Sequence, residues 1–399
     1  MQKRVVLVGA LLIALTLVAP AASAGPSADP PSATDARLEQ IAATMSTLGV
    51  PGYIQSVHGQ CADSQIVQGI TEFEGTTPLP ADARFHIGSI TKTFTATVIL
   101  QLVEEGLIGL DEPINEWQPT IPNADQITIR MLLNHTSGLF DYSSDPSWVM
   151  QLESDPLFVW PPQELVDIGA LENPPYFPPG QGWTYSNTNY IILGLIAETV
   201  TGQSIEDLVT QRVIGPAGLG GTSFPTTPGV PPPATTGAVV EVGTGQGALV
   251  DFDPSAFWAA GAMIGTNPDL QRWSEVLATG ALLTPEMQAQ RLTFVDTGIT
   301  LAPFPGFTGP LLPVFYGLGI FEVDGYLGHN GEIPGYLAYA LHNPIIGTTI
   351  ALNQNAELID PGASPSFQLD LANLQNEMLM AILGALELCP VRVQPTFTG

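Results

Sequence analysis

Two segments of this sequence are apolar around most of the helix circumference that they would form. The first is residues 90–105, and the second is residues 188–201, which Gly202 ends. A helix with so little polar surface is stable only when other elements surround it, so both must lie inside a large domain. Lys92, near the start of the first helix, is then expected to be buried as well.

Strand-like segments lie on both sides of this helical region. Residues 53–57 and 65–70 precede it as a predicted strand pair. After Phe315 the pattern predicts short strands at residues 317–321, 326–328, 336–342 and 348–352. Further helices are predicted at residues 35–47, 127–133, 269–279 and 367–388, and proline-rich surface loops at residues 161–179 and 225–233. Asp35 is the predicted cap of the first of these helices, and Asn267-Pro268 the predicted cap of the third. This order predicts an α/β (α+β) lobe built from both chain ends, with an inserted helical lobe.

The first 24 residues have the pattern of a secretory signal peptide. Lys3 and Arg4 precede an apolar run of 14 residues and the small residues Ala22-Ser23-Ala24. The run is shorter than the roughly 20 residues that span a bilayer, and no later run is long enough. We therefore predict a signal peptide at 1–24, a linker at 25–33, one two-lobed domain at 34–389 and a tail at 390–399. The predicted location is secreted, or the periplasmic or cell-wall space; an uncleaved anchor is the alternative.

The charge of the chain excludes some partners. Without the predicted signal peptide it has eight basic and 38 acidic residues, a net charge of -30. Such a chain repels nucleic acid and anionic membrane surfaces, so neither is a predicted partner.

The two cysteines, Cys61 and Cys389, can form one disulfide in an oxidising compartment, which would join the two ends of the domain. Two buried free thiols are the alternative. The sequence has no C-x-x-C, no H-E-x-x-H and no cluster of Cys and His. We predict neither a metal site nor a cofactor.

Lys92 is the only lysine beyond the predicted signal peptide, and it follows Ser89 by three residues in F-H-I-G-S-I-T-K-T-F. Residues three apart share a helix face, so the amine can reach the Ser89 hydroxyl. Burial and the positive helix N-terminus both lower the pKa of a lysine, which lets the neutral amine take the serine proton. The alternative is a solvated lysine in a chance match.

Two further segments contain residues suited to the same reaction. Tyr185 and Asn187 precede the second apolar helix; a phenol can relay a proton and an amide can bond both a lysine and a substrate carbonyl. In G-H-N-G-E, residues 328–332, the N–H of Glu332 can form an oxyanion hole with that of Ser89. We interpret His86 and His135 as structural.

The ordered set S-x-x-K, Y-x-N and H-x-G resembles the serine β-lactamase and penicillin-binding superfamily. The sequence around these motifs, over residues 85–336, is similar to that of the branch that contains class C β-lactamases, D,D-carboxypeptidases and related esterases. The resemblance implies a β-lactamase-like fold with an antiparallel sheet, and an acyl-enzyme mechanism. It implies Ser89 as nucleophile, Lys92 as base or proton relay, Tyr185 as general acid/base, and substrate binding by Asn187, His329, Asn330, Gly331 and Glu332.

The third motif departs from part of this branch. Class C β-lactamases usually carry K-T-G there, whereas this chain has His-Asn-Gly, closer to the secreted D,D-carboxypeptidases. Those enzymes hold a terminal carboxylate, commonly with hydroxyl groups after the histidine, but this chain offers Asn330 and Glu332. An acid beside the site disfavours an anionic substrate, and the alternative is that its side chain points away, to the opposite face of the strand.

The leading prediction is an exported D-alanyl-D-alanine carboxypeptidase-like serine hydrolase. Its substrate would be a peptidoglycan peptide or another small molecule, and β-lactams would be possible acylating agents. The alternatives are an esterase, a D-amino-acid amidase or aminopeptidase, a class C-type β-lactamase, or a catalytically silent protein that binds cell-wall peptides.

Overall fold

The chain builds a central eight-stranded antiparallel sheet from strands near both ends of its described part. The computed structural model describes residues 33–59, 63–242, 244, 246–301 and 311–359. The predicted signal peptide, linker residues 25–32, the predicted helix at 367–388, the tail, and Cys61 and Cys389 lie outside these residues.

Thirteen strands occur in the part of the chain that the structure describes. They are β1 Gly52–His58, β2 Asp63–Gly69, β3 Arg84–His86, β4 Gly237–Glu241, β5 Gly247–Val250, β6 Ile264–Thr266, β7 Val295–Leu301, β8 Leu312–Tyr316, β9 Phe321–Val323, β10 Tyr326–Ile333, β11 Tyr336–Asn343, β12 Thr348–Gln354 and β13 Ala356–Ile359. The main sheet has the order β2-β1-β12-β11-β10-β9-β8-β7. Every residue of β11 and β12 is buried, because helices and loops cover both faces of the sheet at its centre.

Eleven α-helices are present in the same described ranges. They are α1 Ala33–Thr47, α2 Thr91–Glu104, α3 Ile129–Leu133, α4 Pro146–Ser154, α5 Pro162–Asp167, α6 Thr188–Thr201, α7 Ile205–Val209, α8 Gly215–Ala217, α9 Trp258–Gly261, α10 Asn267–Thr279 and α11 Pro285–Arg291. Side-chain oxygens cap several of them; that of Thr128, for example, accepts from the N–H of Met131 at the start of α3. Gly202, in the left-handed conformation, ends α6 as predicted.

The two apolar helices are buried as the sequence predicts. α2 is buried from Thr91 to Leu100, and α6 is buried from Thr188 to Gly194. α1 packs its apolar residues, including Leu38 and Met45, with residues of β1, β11 and β12. The predicted architecture, an antiparallel sheet flanked by helices and built from both sides of the helical region, is present.

Three local predictions were wrong. Residues 317–320 form a turn instead of a strand, because Gly319 has φ +73° and passes so close to α2 that a Cβ there would lie 2.3 Å from the Cβ of Ala96. The cap of α10 is Thr266, whose hydroxyl accepts from the N–H of Asp269, while Asn267 is buried inside the helix. α1 begins at Ala33, two residues before the expected cap Asp35.

The inserted lobe contains more than helices. β4 pairs with β5 and with β13 from the end of the described chain, and β3 pairs with β6. The predicted loop at residues 161–179 also contains α5 and a π-helical turn at Ile168–Glu172. These strands are three to five residues long, too short for a clear alternation in the sequence.

Candidate active site

Ser89 lies in a single 3₁₀ turn, Gly88–Ile90, that leads directly into α2. The Lys92 amine donates a hydrogen bond to Ser89 Oγ at 3.0 Å. It also donates to Asn187 Oδ1 at 2.6 Å and to the carbonyl of Ala260 at 2.8 Å. The Lys92 side chain is fully buried, so these three acceptors replace its water shell.

Burial changes the chemistry of Lys92. It lowers the pKa of this lysine from 10.5 to about 7, while the nearby carboxylate of Asp141 acts in the opposite direction. The rings of Tyr185 and Tyr190 lie near the amine, with the Tyr185 centroid 4.8 Å from Nζ. A large fraction of the neutral amine is therefore available near pH 7 to accept a proton from Ser89.

Tyr185 and Asn187 come from the segment immediately before α6 and face the same amine. Burial raises the pKa of the Tyr185 phenol well above its usual value, and the nearby Ser89 hydroxyl lowers it only in part. Tyr185 is therefore protonated at neutral pH. The amide group of Asn187 uses its oxygen for Lys92 and donates through Nδ2 to Asp141 Oδ2 at 3.3 Å and to Ser143 Oγ at 3.0 Å. In this arrangement Asn187 positions the lysine.

Asp141 is the residue of this network that the sequence analysis did not select. Its Oδ1 accepts from the backbone N–H of Asn187 at 3.1 Å and from the hydroxyl of Ser143 at 3.0 Å. Burial raises the pKa of its carboxyl group, and the Lys92 charge is among the influences that lower it. The sequence around it, F-D-Y-S-S, is equally typical of an ordinary turn, so no signal there singles it out.

We expect Asp141→Asn to shift the pH dependence of the enzyme. Removing the carboxylate removes an influence that raises the pKa of Lys92, so the acid limb of the kcat/KM profile should move to lower pH. The substitution also weakens the hydrogen bonds that hold Asn187, and this should reduce kcat by about tenfold. A pH–rate series on both proteins measures the shift. An acid limb at the same pH in both would contradict the coupling.

His135 supports this segment, as the sequence analysis expected. Its Nδ1 accepts from the backbone N–H of Ser186 at 3.2 Å and lies 3.1 Å from Asn189 Nδ2. Its ring centroid is 4.3 Å from that of Tyr185. Burial, followed by the charge of Lys92, lowers the pKa of His135 well below its usual value. A neutral, hydrogen-bonded ring is suited to holding Tyr185 in place. His86 is also buried, and its pKa is lowered to about 4.

His329, on β10, is neutral for the same reason. Its Nδ1 contacts the carbonyl of Asn330, so this nitrogen carries the proton, and its Nε2 accepts from the Tyr316 hydroxyl at 2.9 Å. Burial lowers the pKa of His329 to about 3. The ring therefore forms a wall of the site and does not exchange protons near neutral pH.

β10 passes very close to the Ser89 turn. A Cβ on Gly331 would lie 1.8 Å from the carbonyl oxygen of Ile87, and a Cβ on Gly88, which has φ +49°, would lie 2.7 Å from the nitrogen of Glu332. Only glycine fits at both positions. Ile333 pairs with Tyr336 across a two-residue turn, so the N–H of Glu332 points away from β11 and toward Gly88. Two N–H groups, of Ser89 and Glu332, are thus placed to hold an oxyanion.

These segments border a cleft of about 480 Å³. Aromatic and aliphatic side chains make up most of its lining, and no arginine or lysine is among the described residues that line it. The lining residues are Ser89, Trp183, Tyr185, Asn187, Ile299, Leu301, Val314, Tyr316, Phe321, Val323, His329, Asn330, Glu332 and Tyr339. The structure thus brings Ser89, Tyr185 and the third-motif residues to one cleft, with Lys92 beneath it.

Two features are absent from the described residues. No group of three or more His, Cys, Asp or Glu side chains within them could hold a metal ion. None of the helices they form is long and apolar enough to cross a membrane.

Comparison with known proteins identifies the class. The beta-lactamase family model matches residues 53–370. A penicillin-binding protein of Bacillus subtilis is 37% identical over 156 residues, which are 39% of this chain and only 33% of that relative. The structure of a D-stereospecific amidohydrolase from Streptomyces sp. matches with a TM-score of 0.68 and 32% sequence identity. The match covers 86% of this chain and 98% of the amidohydrolase chain. The structure of a D-amino acid amidase from Ochrobactrum anthropi matches with a TM-score of 0.72 and 28% sequence identity. That match covers 90% of this chain and 100% of the amidase chain.

The fold and the comparisons together place the chain in the serine β-lactamase and penicillin-binding superfamily and confirm the predicted β-lactamase-like fold. The protein belongs to the beta-lactamase family.

Proposed function

We propose that this protein hydrolyses an amide or ester bond through an acyl-enzyme on Ser89. The observation that carries the proposal is the 3.0 Å distance between Nζ of the fully buried Lys92 and Ser89 Oγ, across which a proton can pass. The neutral amine takes the Ser89 proton as Oγ attacks the substrate carbonyl carbon, and the N–H groups of Ser89 and Glu332 hold the oxyanion. A water molecule then attacks the acyl-enzyme and frees the acid.

Lys92 is the base in this proposal and Tyr185 the proton relay. The raised pKa of Tyr185 makes its phenolate rare at neutral pH, whereas the pKa of Lys92 is about 7. The phenol can instead accept a proton from the Lys92 ammonium while it passes its own proton to the leaving nitrogen or oxygen. The proton taken from Ser89 thus leaves with the amine or alcohol product.

The cleft supports an amide or ester substrate without a carboxylate to bind. Its described lining carries Glu332 and no arginine or lysine, and the chain has a large negative charge. The similarity to proteins named amidohydrolase and amidase supports the same choice. A D-amino-acid amide is therefore our proposed substrate class, with an ester as second candidate because the cleft is mainly apolar. Three features remain predictions from the sequence: D-alanyl-D-alanine carboxypeptidase activity, reactivity with β-lactams, and export.

A four-substrate comparison tests this choice. We would measure kcat/KM for D-phenylalanine amide, a neutral p-nitrophenyl ester, benzylpenicillin and an acyl-D-alanyl-D-alanine peptide, each with wild type and Ser89→Ala. The kcat/KM for the amide or the ester should exceed that for both carboxylate substrates by at least about tenfold. This factor corresponds to one unfavourable contact between like charges. Faster turnover of the peptide or the penicillin would reject our substrate class and favour the carboxypeptidase or β-lactamase. Binding without Ser89-dependent turnover would indicate a silent protein.

A further inference from the structure

The cleft has two chemically different sides. Five aliphatic and aromatic side chains from β7, β8 and β9 form one side: Ile299, Leu301, Val314, Phe321 and Val323. Glu332 is the only Asp, Glu, Lys or Arg among the described residues of the lining. A substrate that fills both sides therefore has an apolar part and a group that a carboxylate accepts as partner.

Glu332 is placed beside the reacting carbonyl by its own backbone. The N–H of this residue faces the Ser89 turn, and the same residue lines the cleft. A carbonyl oxygen bound between the N–H groups of Ser89 and Glu332 places the α-carbon of the acyl group one bond from the attacked carbon. In an amide or ester substrate the α-carbon substituent and the leaving group are therefore both near Glu332, and of the two only an α-amine carries a positive charge.

The carboxylate of Glu332 lacks a cationic partner. No ion pair in the described residues includes it, and the charged group that acts on its pKa is another acid, Glu357, whose Oε2 accepts from the N–H of Gly335 at 3.4 Å. The Glu332 residue is exposed to the cleft, yet the surrounding protein and then Glu357 raise its pKa to about 7. Two neighbouring acids without a counter-ion are stabilised by a bound cation.

We propose that Glu332 binds the protonated α-amine of the substrate, while the apolar side of the cleft holds its side chain. The proposal rests on the proposed function and narrows it to amides or esters of apolar amino acids with a free amine. Glu332 is then a specificity-determining residue: its backbone stabilises the oxyanion, and its side chain selects the acyl group.

A matched substrate pair tests the role of the side chain. Phenylalanine amide and N-acetyl-phenylalanine amide share the acyl skeleton and the leaving group but differ in the charge of the amine. Wild type should prefer the free amine, and Glu332→Gln should reduce the ratio of the two kcat/KM values by about 10- to 100-fold, mainly through KM. Glu286→Gln removes the same charge at an exposed position on α11, and should leave the ratio unchanged.

Three outcomes would overturn the proposal. An equal loss on both substrates in Glu332→Gln would mean that the side chain supports the scaffold and does not select the amine. Equal wild-type rates on both amides, with Ser89-dependent ester hydrolysis intact, would reject the amine site and leave the proposed function standing. Absence of any Ser89-dependent turnover would reject both. If the variant does not fold, wild-type inhibition decides: phenethylamine should compete better than N-acetyl-phenethylamine, and equal inhibition would reject the site.

Discussion

Replacing Ser89 with alanine is expected to lower kcat/KM for every substrate of this protein by at least about 10³-fold, because no acyl-enzyme can then form. The substitution removes one hydroxyl at a turn whose geometry depends on Gly88 and on the packing of β10, so the fold should be retained. The remaining oxyanion donors and the cleft would still bind the substrate, and KM should change much less than kcat.

Intact protein mass gives a second readout of Ser89. A fluorophosphonate should add once to the wild type and not to Ser89→Ala. Ser154→Ala, at the exposed end of α4, is the matched control and should behave as wild type. An adduct of equal yield on Ser89→Ala would place the nucleophile elsewhere and reject the whole assignment of the site.

Replacing Lys92 with methionine should have the second-largest effect. Methionine fills much of the same buried volume but cannot take the Ser89 proton, and we expect kcat/KM to fall by about 10² to 10⁴-fold. Lys92→Arg should be equally inactive, because a guanidinium keeps its proton in proteins. Initial rates on one neutral ester measure both. Substantial activity in Lys92→Arg would contradict the role of Lys92 as base.

The pH dependence of wild-type activity should reflect the titration of Lys92. For a neutral substrate, kcat/KM should fall as the pH drops below about 7, where Lys92 becomes protonated. The free energy of unfolding should respond as well. The pKa of Lys92 is about 7 when folded and about 10.4 when unfolded, so the unfolded chain binds more protons between these values. Lys92 therefore makes stability rise with pH across this window.

Urea denaturation at several pH values can measure that linkage. Stability should increase between pH 7 and pH 9 in the wild type more than in Lys92→Met, which has no group that titrates there. An identical increase of stability with pH in the two proteins would mean that Lys92 is not deprotonated in the folded state. The 3.0 Å hydrogen bond to Ser89 would then be donated by an ammonium group.

Much of this molecule was predictable from local patterns. The all-round apolar character of α2 and α6 determined that these helices are buried, because an apolar surface of that size is unstable in water. The spacing of Ser89 and Lys92 placed both on one helix face, and the single lysine beyond the predicted signal peptide marked the position for special chemistry. These properties depend on neighbours a few residues apart, which the sequence displays directly.

Other properties depend on residues that only the folded chain brings together. Asp141 joins Asn187 across 46 residues, and the carbonyl of Ala260 joins Lys92 across 168. Burial by these distant segments sets the pKa of Lys92, which the sequence could predict in direction but not in extent. The close passage of β10 over Gly88, and the position of Glu332 in the cleft, likewise follow from long-range strand pairing. The sequence by itself determined which residue types are available for the reaction, and the tertiary structure decided their protonation and partners.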